Sequence, residues 1–396
     1  MLKNTITNSE KCIGCGVCAT ICPQRAISFE QDRDGFFSPF INNDLCINCG
    51  ACLKKCLAES PIKSKNTKQN MDCFYGFWKS SEIDSCQSGG FCTVISRYVI
   101  EHGGVVFGVT YSSDFSNAEY KMVDNLDDLN CLKGSKYIQS KPIDFDKLKK
   151  ELISNRLVLV IGLPCHISAL VNWANNKYKN LLTISLICHG PVSNLVHNKF
   201  LNEYKNGKVL NFTVKGKVKG KNCGYTTIIS EKNRYSHAFN DTEYGRLFDL
   251  VLRKSCYSCN YKIYNNLSDV IAGDYWCNDI SRVHNEKGNS SVIILRNNFI
   301  WNNILQELHD FHFEHVELQE LINQNPAIIN KATENNERDT IIKLLNSDTK
   351  LKNICPDPCY IKIIKKIRVL LTTILSKQTQ ILLKGFIKRL KSLIYK

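Results

Sequence analysis

The feature that most constrains this chain is a run of four cysteines that occurs twice within the first 56 residues. Both runs have the spacing C-x2-C-x2-C-x3-C, and the second repeats the first at an offset of 34 residues at all four positions. The eight cysteines are Cys12, Cys15, Cys18, Cys22, Cys46, Cys49, Cys52 and Cys56. The sequence therefore contains an internal duplication that carries eight thiols.

Cysteine is abundant in the rest of the chain as well. The protein has 20 cysteines in 396 residues, too few for a disulfide-dense small domain and too many for core packing alone. The N-terminal residues lack the apolar run of a secretory signal, and no apolar stretch is long enough to cross a bilayer. We therefore expect a cytoplasmic protein, in which thiols serve more often as metal ligands than as disulfides.

The duplicated spacing is typical of iron–sulfur ligands, because three thiolates two residues apart surround one corner of a cubane. It resembles the bacterial two-cluster ferredoxin, in which the fourth cysteine of each run binds the other cluster. The resemblance implies two 4Fe–4S clusters, with the ligand sets Cys12, Cys15, Cys18 and Cys56, and Cys46, Cys49, Cys52 and Cys22. Two four-cysteine zinc sites are a weaker alternative, because zinc ribbons pair two C-x2-C motifs across a longer loop. Leu57 stands where the ferredoxin pattern has proline.

Beyond a polar, lysine-rich linker, helical and strand-like patterns alternate. Val105–Tyr111 and the apolar runs at 157–161 and 182–187 predict strands, the latter two buried on both faces as in a parallel sheet. Helical patterns occupy 90–101, 167–173 and 193–204, and further strand-like segments lie at 209–214, 225–230 and 292–295. The predicted fold is an α+β ferredoxin-like domain, an α/β core with a mainly parallel mixed sheet, and a C-terminal basic amphipathic helix. The predicted boundaries are 1–60, a linker at 61–71, a core at 72–350 and a tail at 355–396.

A third set of cysteines follows the predicted strands of the core. Cys165 comes directly after the first buried strand and Cys188 directly after the second. Open α/β sheets place ligands beyond the carboxyl ends of neighbouring strands. With the C-x2-C pair Cys256 and Cys259, these thiols are enough for another 4Fe–4S cluster, although a redox-active dithiol or buried apolar cysteines remain alternatives.

The core from about Cys73 to Leu308 resembles the coenzyme F-420 hydrogenase/dehydrogenase beta-subunit family. The matching segments, in order, are SGG (88–90), HGGVVFGVTY (102–111), LKGSKYIQS (132–140), GLPCHISAL (162–170), ICHGP (187–191), CYSCNY (256–261) and SDVIAGDYW (268–276). The resemblance implies an iron–sulfur flavoprotein, with Cys165, Cys188, Cys256 and Cys259 as ligands of a third cluster. The other eight cysteines are treated as structural.

The same resemblance assigns an FAD site to three segments. Ser88, Gly89 and Gly90 would bring backbone N–H groups and a helix N-terminus to the diphosphate. Ser135 and Lys136 would supply a hydroxyl and a positive charge near the flavin, and Gly273 and Asp274 a close approach and a carboxylate. A simple helix start and a solvated loop are the alternatives for the first two segments. His166 and His189 are interpreted as supporting the neighbouring ligands and not as acid–base groups.

The resemblance further implies an oxidoreductase that passes electrons from a ferredoxin-like donor through the clusters to FAD, and then to a two-electron acceptor. The acceptor would be a deazaflavin-type coenzyme or a metabolite of surface-polysaccharide synthesis. The alternative is a non-catalytic electron-transfer subunit that serves a partner enzyme. No catalytic residue is assigned.

The net charge of +15 is concentrated at the C-terminus, where the last 36 residues hold ten Lys or Arg and no acid. The remainder carries only +5, so the body does not resemble a nucleic-acid-binding protein. Apolar residues on one face of the basic tail suit an anionic membrane surface, which would place the protein peripherally at the inner membrane. Docking on the body or on a partner protein is the alternative.

Overall fold

A computed structural model describes five segments of the chain. They are residues 10–59, 71–218, 221–276, 290–296 and 299–356. Contacts divide the chain into two units, Met1–Asp348 and Thr349–Lys396. All sites considered below belong to the first unit. In the second unit the described residues end at 356 and include one short helix, so the predicted amphipathic helix lies outside the described residues.

The strands are numbered in chain order. They are β1 (Ile27–Gln31), β2 (Phe37–Ile41), β3 (Met71–Trp78), β4 (Val105–Tyr111), β5 (Ala118–Val123), β6 (Val158–Gly162), β7 (Leu181–Leu186), β8 (Val209–Val218), β9 (Lys221–Ser230), β10 (Arg234–Ala238), β11 (Val270–Asp274), β12 (Ser291–Arg296) and β13 (Phe311–His315). Strand β4 has the predicted bounds, and β3 begins at the last residue of the predicted linker.

The α-helices are numbered in the same way. They are α1 (Val17–Thr20), α2 (Ala51–Lys54), α3 (Phe91–Glu101), α4 (Phe145–Ile153), α5 (Pro164–Ala174), α6 (Asn194–Tyr204), α7 (Glu243–Leu247), α8 (Lys254–Tyr257), α9 (Phe299–Glu307), α10 (Leu318–Gln324), α11 (Arg338–Leu345) and α12 (Leu351–Ile354). In the described residues no helix is long and apolar enough to cross a membrane.

The N-terminal region is small and combines the antiparallel hairpin β1–β2 with the short helices α1 and α2. The two helices lie 34 residues apart, so the duplication in the sequence is also a duplication in structure. Each begins after a glycine with positive φ, Gly16 at 85° and Gly50 at 72°. This backbone conformation favours glycine, because a Cβ would be strained there.

The main sheet has eight strands among the described residues, in the order β13-β3-β12-β11-β7-β6-β4-β5. Its centre, β4-β6-β7-β11, is parallel, whereas the other four pairings are antiparallel. The sheet is therefore mixed as predicted, but it is not mainly parallel. Strands β3, β12 and β13 extend the sheet on one side of the parallel centre as an antiparallel group, and no periodic pattern in the sequence reveals such pairing.

Helices cover both faces of this sheet. Residues of α3 pack on one face against side chains such as Val106 and Leu159, and α4 and α5 cover the other face at Val105 and Val160. Ile13 of the N-terminal region belongs to the second of these apolar clusters. The first cysteine run is consequently packed against the core and not held apart from it.

A second, three-stranded antiparallel sheet has the order β10-β9-β8. The pairing of β8 with β9 is irregular between Thr213 and Gly216, where β8 has one more residue than β9. Lys215 lies at this bulge with a φ of 53°. Bulges commonly redirect a side chain, and the left-handed conformation costs a residue other than glycine about 1–2 kcal/mol.

Candidate metal centres

Cys22, Cys46, Cys49 and Cys52 line one cleft in the N-terminal region, which we call the outer site. Gly50, Ala51 and Ile47 are among the other residues that line it. The Ala26 N–H donates to Cys22 Sγ at 3.3 Å, a contact of the kind that tunes cluster potentials. The structure thus brings together the four cysteines that the ferredoxin resemblance assigns to one cluster.

The other ferredoxin set, Cys12, Cys15, Cys18 and Cys56, forms the inner site. The pKa of Cys15 is raised to about 12, chiefly by burial and to a smaller extent by the neighbouring thiols of Cys12 and Cys56. Burial also raises the pKa of Cys18, with added repulsion from Cys15 and Cys12. Thiols as buried as those of Cys15 and Cys18 become thiolates when nearby cations compensate them, which the irons of a cluster would do.

The four core cysteines line a second cavity, which we call the core site. Cys165 lies in the first turn of α5 after β6, and Cys188 follows β7, its parallel neighbour. Cys256 belongs to α8, and Cys259 follows that helix. Burial raises the pKa of Cys188 to about 11, and it raises the pKa values of Cys165 and Cys256 as well.

Two cations line the core site beside these thiols, and sequence reasoning did not identify either. Arg253 lies in the wall of the cavity and favours the thiolate of Cys256. Lys262 favours the thiolates of both Cys188 and Cys256, and its Nζ donates to the Cys188 carbonyl at 2.6 Å. The only signal in the sequence was their position, three residues before Cys256 and three after Cys259. A donor set of four thiols with two flanking cations fits an anionic iron–sulfur cluster.

The core site adjoins the inner site. The thiols of Cys165 and Cys15 interact electrostatically, and Tyr261 interacts with both of them. Tyr261 reaches the N-terminal region through its hydroxyl, which donates to the Leu57 carbonyl at 3.1 Å, and its own N–H donates to Cys259 Sγ at 3.5 Å. The Cys18 thiol of the inner site also interacts electrostatically with that of Cys52 in the outer site. The inner site therefore adjoins both of the others, and the order is outer, inner, core.

Two further side chains of the core hold the inner cysteine run in place. His166 Nε2 hydrogen-bonds to the Ile13 carbonyl at 2.9 Å, and burial lowers the pKa of His166 to about 4, so the ring is neutral and donates. Arg253 donates from Nε to the Cys12 carbonyl at 2.6 Å and from Nη1 to Gln139 Oε1 at 2.8 Å. This supports the interpretation of His166 as a supporting residue. His189 instead lies 3.3 Å from Asp249, through Nε2 and Oδ1.

In the segments that the structure describes, no three His, Cys, Asp or Glu side chains converge closely enough to hold a single metal ion. A cubane has its thiolates on the outside of four irons and needs a wider cavity. The remaining described cysteines include Cys73 and Cys86, both buried in the apolar core.

The residues assigned to FAD are brought together only in part. Ser88 Oγ donates to the Ser290 carbonyl at 2.6 Å and lies 3.5 Å from the Gly273 carbonyl. Asp274 interacts with Ser88 and with Lys215, and burial raises the pKa of its carboxyl. Ser135 reaches the same place through Tyr137, which interacts with Asp274. Of the seven residues, Asp274 and three others, Ser88, Ser135 and Gly273, therefore lie together.

The other three residues are engaged in different contacts. The Gly89 N–H donates to Ser291 Oγ at 3.0 Å and the Gly90 N–H to the Gln87 carbonyl at 3.3 Å, so neither N–H points freely to a diphosphate. The Lys136 ammonium donates to the carbonyls of Cys131, Leu132 and Lys133 at 2.8–3.2 Å. These contacts satisfy the end of a 3-10 turn, a local role that the sequence did not reveal.

Two lysines of β8, Lys215 and Lys217, act on the Asp274 carboxyl in place of Lys136, and Lys215 has the stronger effect. The Nζ of Lys215 lies 4.6–5.2 Å from the ring centres of Tyr137, Phe239 and Phe248, and burial lowers its pKa. Among the described residues no hydrogen bond or ion pair involves this ammonium. Sequence reasoning missed it because the bulge that directs Lys215 inward arises from the pairing of β8 with β9.

Comparison with known proteins gave two matches to family models. Residues 11–60 match the 4Fe-4S dicluster domain, and residues 155–316 match the model for the C-terminal region of the coenzyme F-420 hydrogenase/dehydrogenase beta subunit. Together with the three thiol-lined sites, these matches define an iron–sulfur protein of the electron-transfer class. Residues 155–316 are therefore similar to the coenzyme F-420 hydrogenase/dehydrogenase beta subunit and residues 11–60 to a dicluster domain, and over these residues the resemblance seen in the sequence is confirmed.

One curated relative is the coenzyme F-420-dependent sulfite reductase of Methanocaldococcus jannaschii, 27% identical over 170 residues. The match covers 42% of this chain and 26% of that protein, so the chain spans about a quarter of the relative's length. A chain of the xenon-derivatised F-420-reducing NiFe hydrogenase complex from Methanosarcina barkeri is similar with a TM-score of 0.44 and 18% identity. That similarity covers 67% of this chain and 96% of the other.

Proposed function

We propose that this protein is an iron–sulfur flavin-dependent oxidoreductase with three 4Fe–4S clusters. Two clusters occupy the outer and inner sites and the third occupies the core site. The observation that carries the proposal is the cavity where Cys165, Cys188, Cys256 and Cys259 meet beside the inner site. Thiols from three separate segments of the chain have no other evident reason to share one cavity between two cations.

The order of the sites supports a path for electrons. Electrons from a one-electron donor would enter at the outer site and reach the core site through the inner one. Clusters held by these cysteines would carry single electrons, and a flavin held beside Asp274 would supply the two-electron chemistry that clusters alone do not perform. Both the family description and the sulfite reductase's name refer to coenzyme F-420, so a deazaflavin coenzyme is the first acceptor to test. A metabolite of polysaccharide synthesis is the second.

Polar groups near Asp274 support a ligand there. Ser290 Oγ and Asn325 Oδ1 are buried, and neither has a hydrogen-bond partner within the described residues. Both residues adjoin the assigned segment, since the Ser290 carbonyl accepts from Ser88 and Asn325 Nδ2 donates to the Asp274 carbonyl at 3.0 Å. A flavin or its phosphate would supply the missing partners.

A second candidate function is a non-catalytic electron-transfer subunit. It is favoured by the internal hydrogen bonds of Gly89 and Gly90 and by the three carbonyls that hold Lys136, because these groups were expected to contact the flavin. In that case the chain holds its clusters but reduces no small molecule without a partner enzyme.

The experiment is anaerobic purification with measurement of iron, acid-labile sulfide and flavin. Three cubanes predict about twelve irons per chain, and Cys188→Ser should lower this to about eight. Cys92→Ser, which removes a thiol of α3 outside all three sites, is the control and should retain about twelve. About eight irons in the unaltered protein would remove the third cluster from the proposal, and full iron without flavin would favour the subunit.

A further inference from the structure

Lys262 is held at the core site by hydrogen bonds at both ends of the residue. Its carbonyl accepts from the N–H groups of Asn265 and Asn266, each at 3.0 Å. Its Nζ donates to the Cys188 carbonyl at 2.6 Å and to the Ala327 carbonyl at 3.0 Å. Carbonyls carry no net charge, and within the described segments no ion pair involves this ammonium. Lys262 is therefore a fixed positive charge at the wall of the core site.

The charge of Lys262 acts on the core site in particular. Apart from other thiols, the principal charged side chains that act on the thiols of Cys188 and Cys256 are Lys262 and Arg253, and both favour the thiolates. Arg253 is shared between two sites, because its Nε donates to the Cys12 carbonyl of the inner site. Both hydrogen bonds of the Lys262 ammonium are made within the core, so this charge distinguishes the core site from the inner site.

The inner site has a different set of charges around its thiols. The Glu59 carboxylate acts on Cys56 and disfavours its thiolate. In the described part of the chain, no cation is among the principal groups that act on Cys15, Cys18 or Cys56. Burial is the largest influence on the thiols at both sites, so burial alone does not separate them. The two sites therefore differ chiefly in charge.

Lys262 also connects the core site with the segment assigned to the flavin. Ala327, which accepts from Lys262, lies in a 3-10 turn that follows Asn325. The Nδ2 of Asn325 donates to the Asp274 carbonyl at 3.0 Å. The positive charge thus lies between the Cys188 carbonyl and a turn that contacts the Asp274 segment.

Reduction of a cluster adds one negative charge to it, so a nearby fixed cation favours the reduced form. We propose that Lys262 raises the reduction potential of the core cluster above that of the inner cluster, which makes the core site the electron acceptor of this pair. The inference rests on the proposed function, because it requires clusters in both sites. In the transfer the inner cluster loses one electron and the core cluster gains it, and no bond or proton is exchanged.

The test is a redox titration of the full-length iron-loaded protein, followed by electron paramagnetic resonance. Two variants assign the signals, since Cys188→Ser should remove that of the core cluster and Cys49→Ser that of the outer cluster. The remaining signal belongs to the inner cluster. In the unaltered protein the core cluster should have a higher potential than the inner cluster. The opposite order would overturn the proposal, whatever the Lys262 variants show.

Lys262→Gln removes the charge and keeps a hydrogen-bond donor for the carbonyls. It should shift the reduction equilibrium of the core cluster at least tenfold toward the oxidised form, which is about 59 mV for a one-electron couple. The potentials of the other two clusters should not change. Lys262→Arg retains the positive charge and should retain the potential of the unaltered protein. A core cluster with the same potential in Lys262→Gln as in the unaltered protein would contradict the proposal.

Lys199, on α6, provides a matched control. It is also a half-buried lysine whose Nζ donates to two carbonyls, those of Leu345 at 3.3 Å and Ser347 at 2.6 Å, and neither residue belongs to a cluster site. Lys199→Gln should leave all three potentials unchanged, and a shift of the core cluster as large as that in Lys262→Gln would overturn the assignment to Lys262.

Iron content separates the two possible failures. About eight irons in the unaltered protein, with no signal lost in Cys188→Ser, would remove the core cluster and with it the proposed function. About twelve irons, with a core potential that does not respond to Lys262→Gln, would leave the proposed function intact and overturn only the role of Lys262.

Discussion

Gly190 lies two residues after Cys188, and its backbone has a φ of 148°. A Cβ at this position would come within 3.0 Å of Leu252 Cδ1 and 3.4 Å of Cys256 Sγ. The glycine thus lets two of the three core-site segments approach each other. Sequence alone suggested only that the residue follows a strand.

Gly190→Ala should therefore displace Cys256 and empty the core site, while the outer and inner sites keep their iron. We expect the iron content to fall from about twelve to about eight atoms per chain. Gly103→Ala is the control, because Gly103 also has a positive φ, 74°, but an added Cβ would meet nothing within 4 Å. Both variants carry backbone strain of about 1–2 kcal/mol. Equal iron in the two proteins would show that the close approach at Gly190 is not required.

Helix α6 carries a buried histidine, His197, whose burial makes its protonation unfavourable in the folded protein. His197 is fully buried, its Nε2 lies 2.7 Å from the Phe115 carbonyl, and its ring contacts those of Tyr111 and Phe212. Burial lowers the pKa of His197 from 6.5 to about 4. The ring is therefore neutral in the folded protein.

The pH dependence of stability follows from this shift. Between pH 6.5 and about 4 the unfolded chain binds a proton at His197 that the folded chain does not, so stability falls as the pH is lowered through this range. The loss approaches about 1.4 kcal/mol per pH unit for one proton. His197→Gln, which can still donate to Phe115, should show a smaller difference in urea midpoint between pH 7 and pH 5. An unchanged difference would contradict a neutral buried ring.

The elements themselves were predictable where the pattern is local. Val105–Tyr111 was predicted with the bounds of β4, and the rule that ligands follow parallel strands placed Cys165 and Cys188 side by side correctly. The antiparallel strands β3 and β13, the bulge at Lys215 and the capping role of Lys136 were not predicted. Each of these features depends on contacts with residues far along the chain or on backbone geometry. Long-range contacts and backbone geometry leave no periodic signal in the sequence.

At the scale of the whole molecule, Arg253 connects the N-terminal region to the core. Besides the Cys12 carbonyl and Gln139, it donates to the Phe37 carbonyl at 3.0 Å and to Ser38 Oγ at 3.1 Å. The side chain is almost completely buried. Its loss would leave several buried acceptors without a donor, at a cost of about 1–3 kcal/mol each.

Arg253→Gln should therefore lower the urea midpoint and speed amide hydrogen exchange selectively in the hairpin β1–β2. Arg296→Gln is the control, because Arg296 is a partly buried arginine that does not contact the N-terminal region, and its Nη2 donates to the Ile263 carbonyl at 3.0 Å within the core. That variant should lose stability without selective exchange in the hairpin. Equal exchange in the two proteins would contradict the connecting role of Arg253.

Three of the core side chains that hold the N-terminal region have main-chain acceptors in common. His166, Tyr261 and Arg253 all reach main-chain carbonyls, those of Ile13, Leu57, Cys12 and Phe37. Every residue has a main-chain carbonyl, whatever its side chain. These contacts therefore place little restriction on which residues stand at positions 12, 13, 37 and 57. Another dicluster module with the same backbone could be exchanged for this one by recombination, provided that it kept Gly14 and Gly16, where a Cβ would collide with Gln139 and Pro142. It would also have to keep Asp34 and Ser38, whose side chains bind Arg338 at 2.9 Å and Arg253 at 3.1 Å.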